Sequence, residues 1–193
     1  MLRGVLGASV TVAGVVAVDA RASVSIQVTW DGLLHESTAA VVATTTETRS
    51  VWENGRIYTY AHLHVDRAVA GELATGGDPW VRTMGGVVGK VGQLVDGEPV
   101  LASGQPSLLF LHPGPPGAFV VTARGQGQFP LVPDADPKAP PHLVRSTSAG
   151  ALLPSRAPGP VPAAPLATDV VHGRLVDDVS RDVAAAWDRT HAR

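Results

Sequence analysis

Two histidines separated by one residue have a spacing that could support chemistry. His62 and His64 fall within a segment, Arg56 to Val69, in which apolar and polar residues alternate. Side chains at positions i and i+2 of a strand point to the same side, so both imidazoles should face one direction. Strand-borne zinc or iron sites obtain two ligands in this way and need a third from elsewhere. The pair predicts either a metal site or a solvated polar face. The residues considered for the third ligand are His35, Asp66 and His112.

Three aromatic residues near the same segment suggest recognition of a partner. Trp52, Tyr58 and Tyr60 lie close together in the sequence, on either side of an Asn-Gly pair. Exposed aromatic side chains on a rigid sheet commonly anchor a protein or a glycan. The alternative is that Trp52 folds over the end of the sheet as part of the core. We therefore take these three residues as a predicted binding surface.

A glycine-rich stretch from Arg82 to Gln93 invites interpretation as a nucleotide loop. A Walker loop requires Ser or Thr after its Gly-Lys pair, whereas Val91 follows Lys90 here, and Met84 stands at the first glycine position. The spacing also fails the dinucleotide fingerprint, and no helix is predicted after it. The sequence instead favours an architectural role, in which glycines allow a coiled strand to turn or to approach another backbone closely. These architectural glycines are Gly85, Gly86, Gly89 and Gly92.

Composition excludes several other functions. The chain has no cysteine, and no serine lies in a Gly-x-Ser-x-Gly motif, so neither a cysteine nucleophile nor a nucleophile elbow is present. The formal net charge is −2 and no run of Lys or Arg occurs, which argues against nucleic acid as a partner. The sequence leans away from an enzyme and identifies no catalytic residue.

The N-terminus predicts export. Met1-Leu2-Arg3 is followed by an uncharged, largely apolar run from Gly4 to Val18, and Ala20-Arg21-Ala22 has the form of a cleavage site. A membrane anchor needs about 20 apolar residues, and this run ends at Asp19. We expect a signal peptide over residues 1–22, a periplasmic or extracellular location, and no transmembrane segment in the mature chain.

Residues 23–132 predict a mainly β domain, a small antiparallel β-barrel or sandwich. Asn54-Gly55 separates two long strand-like runs, and this dipeptide is the strongest short-range signal for a hairpin. Ser107 to Leu111 is apolar in the manner of a strand buried on both faces. The predicted strands are Ser23 to Trp30, Thr38 to Trp52, Arg56 to Val69, Trp80 to Met84, Ser107 to Leu111 and Ala118 to Arg124.

The remaining residues predict a linker and a helix. Residues 133–166 are rich in proline and alanine and are expected to form a linker. Residues 167–193 predict a single C-terminal amphipathic helix, which packs either on its own barrel or on a partner. Its apolar stripe is Val171, Leu175, Val179, Val183 and Trp187.

Several of these segments resemble a family of uncharacterised secreted bacterial β-domains. The likeness rests on Gly55-Arg56-Ile57-Tyr58-Thr59-Tyr60, Val81 to Gly86, Leu109 to Leu111 and Arg124 to Phe129, and covers about residues 33 to 132. The pattern is more distantly similar to netrin-like modules of OB type. The inhibitors within that group resemble one another through disulfides, which a chain without cysteine cannot form, so the resemblance implies fold and export but no activity.

These observations predict an exported, non-catalytic binding or structural module of the cell envelope or extracellular space, with a protein or glycan partner and no cofactor. The alternative is a metal-dependent enzyme that uses zinc or iron held by His62 and His64.

Overall fold

The computed structural model describes residues 24–136, 138–153 and 164–192. The predicted signal peptide, residues 1–22, lies outside the described residues, as do residues 154–163 of the predicted linker. Among the described helices, none has the length and apolar character needed to cross a bilayer.

Strands dominate the described chain, and the helices lie near its two ends. The strands are Val24–Ile26 (β1), Ala39–Glu53 (β2), Arg56–Gly71 (β3), Trp80–Met84 (β4), Gly86–Val88 (β5), Val91–Gln93 (β6), Pro106–Pro113 (β7), Phe119–Val121 (β8), Gln128–Val132 (β9), His142–Leu143 (β10) and Ala151–Leu153 (β11). The helices are Trp30–Glu36 (α1), Ala167–Val171 (α2) and Val176–His191 (α3).

Five strands close into a small barrel. Their order is β7-β2-β3-β4-β8, and β8 pairs back onto β7 to complete the circle. Every pairing is antiparallel except that of β4 with β8, which meet in parallel at Val81 and Phe119. The strands β9 and β10 extend the sheet outward from β7. The predicted mainly β fold, a small barrel with a C-terminal helix, is confirmed.

The predicted hairpin forms the longest part of the barrel. Asn54 and Gly55 both have positive φ, 49° and 77°, as a tight turn between twisted strands requires. From this turn β2 and β3 pair along their whole lengths, with bulges at Val69 and Asp66 of β3 and at Thr46 of β2. Because β2 pairs with β7 only as far as Thr44, the tip of the hairpin projects beyond the closed part of the barrel.

Alternate residues of β2 and β7 fill two separate cores. Val41 and Leu109 point into the barrel, whereas Val42 and Leu108 point outward, beneath the helices. This double burial explains why both strands are apolar on both faces. The outer core comprises Leu33, Leu34, Ala40, Val42, Leu108, Phe110, Phe129, Leu143, Ala167, Val171, Val176, Val179, Val183, Ala186 and Trp187.

The C-terminal segment packs on its own barrel, but the single continuous helix that we predicted is wrong. Gly173, with φ of 78°, separates α2 from α3. Its N–H donates to the Leu143 carbonyl, and Leu143 N–H donates to the Arg174 carbonyl, so this turn hydrogen-bonds to β10 instead of continuing the helix. The break rotates Leu175 out of the predicted stripe, leaving it 38% exposed, and Val176 is buried instead.

Part of the predicted linker also belongs to the fold. β10 pairs with β9, β11 pairs in parallel with β1, and the Leu143 side chain is fully buried. The few apolar residues of this stretch lie far apart in a proline-rich sequence, and for this reason no strand pattern is visible. The pairing of β10 with β9 joins this segment to the sheet of the barrel, and β11 forms a separate two-stranded sheet with β1.

Candidate binding face

The outward face of β3 carries the side chains that the sequence singled out. Ala61, Leu63 and Val65 are buried in the barrel core, as the alternation predicted. The intervening side chains form the outer row, which is Tyr58, Tyr60, His62, His64 and Asp66. β4 pairs alongside and places Arg82 opposite Tyr60, Met84 opposite Tyr58 and Trp80 opposite His62.

Tyr58 and Tyr60 are held in place by an ion pair that the sequence analysis missed. The Arg82 guanidinium carbon lies 3.5 Å from the centroid of the Tyr58 ring, a cation–π contact. Arg82 Nη2 donates to Glu53 Oε2 at 2.8 Å, and the Tyr60 hydroxyl donates to Glu53 Oε1 at 2.8 Å. Burial raises the pKa of Tyr60, and the hydrogen bond to Glu53 acts in the same direction. The phenol therefore remains a neutral donor at physiological pH. We call these four residues the Tyr–Arg cluster.

Trp52 does not join this surface. The β2–β3 register pairs Trp52 with Ile57 and Val51 with Tyr58. Directly opposed residues share a face, so Trp52 lies on the opposite side of the hairpin from both tyrosines. It is 51% exposed because the hairpin tip extends past the barrel. The predicted three-residue surface is thus divided between two faces, a result that counting outward from the Asn54-Gly55 turn would have given.

The two histidines share the outer face but have separate partners. The His62 ring stacks on Trp80, with centroids 4.6 Å apart and planes at 28°, and His62 Nδ1 lies 3.3 Å from Thr46 Oγ1. His64 Nδ1 lies 3.0 Å from Asp78 Oδ1. Within residues 24–136, 138–153 and 164–192, no group of three or more His, Cys, Asp or Glu side chains is arranged to hold a metal ion.

We expect His64 to titrate above the ordinary histidine pKa of 6.5. The hydrogen bond to Asp78 raises the pKa, and the charges of Asp78 and Asp66 add to the effect against a smaller opposing effect of burial. A raised folded-state pKa means that the imidazolium stabilises the fold below pH 6.5, and that this contribution is lost as pH rises through the folded-state pKa. An NMR titration of the imidazole signals would check this. Asp78→Asn should lower the pKa toward 6.5, and an unchanged value would contradict the assignment to Asp78.

The glycine-rich stretch forms a small hairpin, β5–β6, that folds over the projecting tip of β2 and β3. Gly85 and Gly86 have φ of 100° and 131°, and Gly89, with φ of 60°, lies in its turn. A Cβ at Gly86 would overlap Thr59 Oγ1 and Ser50 Oγ, so a close approach requires glycine there. Gly92 has no such requirement, because a Cβ there would lie 3.7 Å from Val87 Cγ2 in ordinary contact.

Two clefts flank the segment from Met84 to Pro99. One, of about 580 Å³, lies beneath the β5–β6 hairpin and exposes Val87, Leu94 and Val100. The other, of about 370 Å³, adjoins the Tyr–Arg cluster and includes Tyr58, Arg82, Glu98, His112 and Arg124. Sequence reasoning found neither, because the larger cleft depends on how residues 85–101 fold against β2, β3 and β4, and the smaller one is lined by residues that the closure of β8 onto β4 and β7 brings together.

Comparison with known proteins adds no further assignment. No family model matches the chain, and no curated protein or solved structure matches it.

Proposed function

We propose that this chain is an exported, non-catalytic binding module that uses the outer face of β3 and β4 to recognise a protein or glycan partner. One observation carries the proposal: the Tyr–Arg cluster is a preordered, partly exposed arrangement of two tyrosines and an arginine. Tyr and Arg are among the residues most enriched at interaction hot spots. Side chains already held by internal contacts lose little conformational entropy on binding.

The arrangement of the barrel gives a second line of support, and we propose that it is of OB type. OB barrels bind oligosaccharides and oligonucleotides on the face of their second and third strands. β3 and β4 are the second and third barrel strands in chain order, and the Tyr–Arg cluster lies on their outer face. The net charge of −2 and the lack of basic runs favour a glycan or a protein over a nucleic acid.

A binding assay with face-specific variants tests this proposal. Glycan arrays and capture from envelope fractions would identify a partner, and its affinity for the native chain and for Tyr60→Ala would be compared. We expect an affinity loss of about 30-fold, the effect of removing one hot-spot side chain. Leu153→Ala, which alters a 57% exposed apolar residue on β11, is the matched control and should bind normally.

Two results decide the outcome. If Tyr60→Ala and Tyr58→Ala both bind as the native chain does, with unchanged melting curves, the proposed face is wrong. Trp52→Ala is measured separately, since Trp52 lies on the other side of the hairpin. A loss of affinity in Trp52→Ala alone would move the binding surface to the hairpin tip.

The metal-dependent enzyme remains the alternative, and one observation favours it. His62 and His64 face the same side, and Asp78 contacts His64. Elemental analysis of protein purified without chelators tests this hypothesis. Stoichiometric zinc or iron in the native chain that is lost in the His62→Ala, His64→Ala double variant would support the metal-dependent enzyme. Substoichiometric metal in the native chain would refute this hypothesis.

A further inference from the structure

The cleft of about 370 Å³ next to the Tyr–Arg cluster lies where the barrel is least tightly closed. β4 and β8 pair only at Val81 and Phe119. Further along β4, Glu98 occupies the position of a neighbouring strand, because its Oε2 accepts from Met84 N–H at 2.9 Å. Arg124 Nε donates to Glu98 Oε1 at 2.5 Å and fixes the carboxylate there. The result is an outward-facing gap with polar groups on its walls.

The two carboxylates in and beside this cleft, Glu98 and Glu53, already accept hydrogen bonds. Glu98 uses one oxygen for Met84 and the other for Arg124. Glu53, the partner of Arg82, likewise uses one oxygen for Arg82 and the other for Tyr60. Within the described residues, each oxygen of these two carboxylates already accepts a hydrogen bond, which makes the pair a poorer site for a cationic ligand.

In contrast, some N–H donors of Arg82 and His112 make no hydrogen bond among the described residues. Arg82 Nε is buried and is without a hydrogen-bond partner in the described part of the chain. A guanidinium carries five N–H groups, and the bond that Arg82 makes among the described residues comes from Nη2. His112 Nδ1 lies 3.1 Å from Thr122 Oγ1, and no contact of its Nε2 is seen within the described ranges. Arg82 Nε is covered by the protein, so a ligand in the cleft would meet the Nη N–H groups of Arg82, of which those on Nη1 make no hydrogen bond within the described residues.

We infer that this cleft binds a carboxylate group of the ligand, received by Arg82 and His112. The inference rests on the proposed binding function, since Tyr58 and Arg82 belong both to the binding face and to the cleft. A planar guanidinium matches the two oxygens of a carboxylate. Because each guanidinium at the cleft already has a carboxylate partner, the charge balance suits a singly charged group better than a phosphate dianion. A uronic acid and an acidic side chain both offer this chemistry.

Paired probes distinguish these sources by NMR titration of the full chain. Glucuronate is compared with glucose, and N-acetylglutamate with N-acetylglutamine, so that each pair differs in the carboxylate. Inorganic phosphate is the third probe. We expect the Arg82 Nε–H signal and the His112 ring signals to shift with one or both carboxylates and to remain in place with the neutral partners. The probe that binds with the higher affinity, glucuronate or N-acetylglutamate, shows whether the natural carboxylate belongs to a uronic acid or to an acidic side chain.

Two variants and a control confirm the location. Arg82→Gln should weaken carboxylate binding by about tenfold or more, the effect of losing a charged hydrogen bond. Because Arg82 also contacts Tyr58 and Glu53, a second variant is needed that leaves this cluster intact. Val120→Asp places a carboxylate in the cleft wall and should abolish binding of the probe through repulsion. Arg174→Gln removes an arginine paired with Asp182 away from the cleft and should bind the probe normally.

Three outcomes overturn the inference. Equal shifts with glucose and glucuronate would show that the carboxylate is not recognised, and stronger binding of phosphate would contradict the charge argument. If the NMR signals of Arg82 and His112 do not shift with either carboxylate, the cleft is not the binding site. If a partner still binds in a Tyr60-dependent manner, these failures refute the carboxylate site alone and leave the binding face standing.

Discussion

Replacing Val183 with aspartate is expected to lower the free energy of unfolding by about 4 kcal/mol or more, the cost of an uncompensated buried charge. Val183 is fully buried in the outer core, where α3 packs against α1 and β3. The loss is a large fraction of the roughly 5–15 kcal/mol that holds a typical domain together. Urea denaturation followed by circular dichroism would measure it, with an accompanying fall in melting temperature of about 10 °C.

A neighbouring position provides the control for this change. Ala184 is exposed on the same helix, so Ala184→Asp introduces the same charge one residue further along without burying it. We expect that variant to lose less than about 1 kcal/mol, mainly through helix propensity. If both variants lost the same stability, the packing of α3 on the barrel would be contradicted. The helix would then act as a separate arm that is free to bind a partner.

The parts of the fold that could be predicted are those determined by local pattern. Apolar residues from Ser107 to Leu111 indicated a strand with two buried sides, and the structure places one face of β7 in the barrel and the other under the helices. Asn54-Gly55 fixed the hairpin because both residues have positive φ. Short-range chemistry alone decides each of these features.

The parts that could not be predicted depend on distant partners. Gly173 interrupts the helical stripe because its N–H and the Arg174 carbonyl pair with Leu143, about 30 residues earlier in the chain. The spacing of apolar residues along a helix cannot reveal that the backbone at this point hydrogen-bonds to a distant strand instead of continuing the helix. The same limit hid β10 and β11, which are too short and too sparsely apolar to be recognised without the strands they pair with.

The candidate site combines features that local pattern predicts with features that depend on distant partners. The outward row on β3 followed directly from alternation, yet Glu53 and Arg82, which order its tyrosines, come from two other strands. Trp52 was grouped with the two tyrosines although its distance from the turn already placed it on the other side of the hairpin. The residues of the smaller cleft, His112 and Arg124 among them, meet only because β8 closes onto β4 and β7.

Gly86→Ala is expected to lower the free energy of unfolding by about 2 to 5 kcal/mol, through backbone strain and steric overlap. Backbone strain contributes, because Gly86 has φ of 131°, a conformation that residues with a side chain rarely adopt. Steric overlap contributes the rest, because the new methyl group would meet Thr59 Oγ1 and Ser50 Oγ. These two hydroxyls hydrogen-bond to each other at 2.8 Å, and Thr59 Oγ1 also donates to the Gly85 carbonyl at 2.7 Å.

Gly92→Ala supplies the matched control for this prediction, since Gly92 lies in the partner strand β6 of the same hairpin. Its added methyl group would make an ordinary 3.7 Å contact with Val87, so we expect a change within about 0.5 kcal/mol. Adding Ser50→Ala and Thr59→Ala to Gly86→Ala would remove the overlapping hydroxyls but not the strain, and should restore only part of the stability. Equal urea midpoints for Gly86→Ala and Gly92→Ala would refute the architectural role of Gly86. Because Gly86 and Gly92 both line the larger cleft, a ligand that binds this cleft would then be the next explanation to test for the glycine-rich stretch.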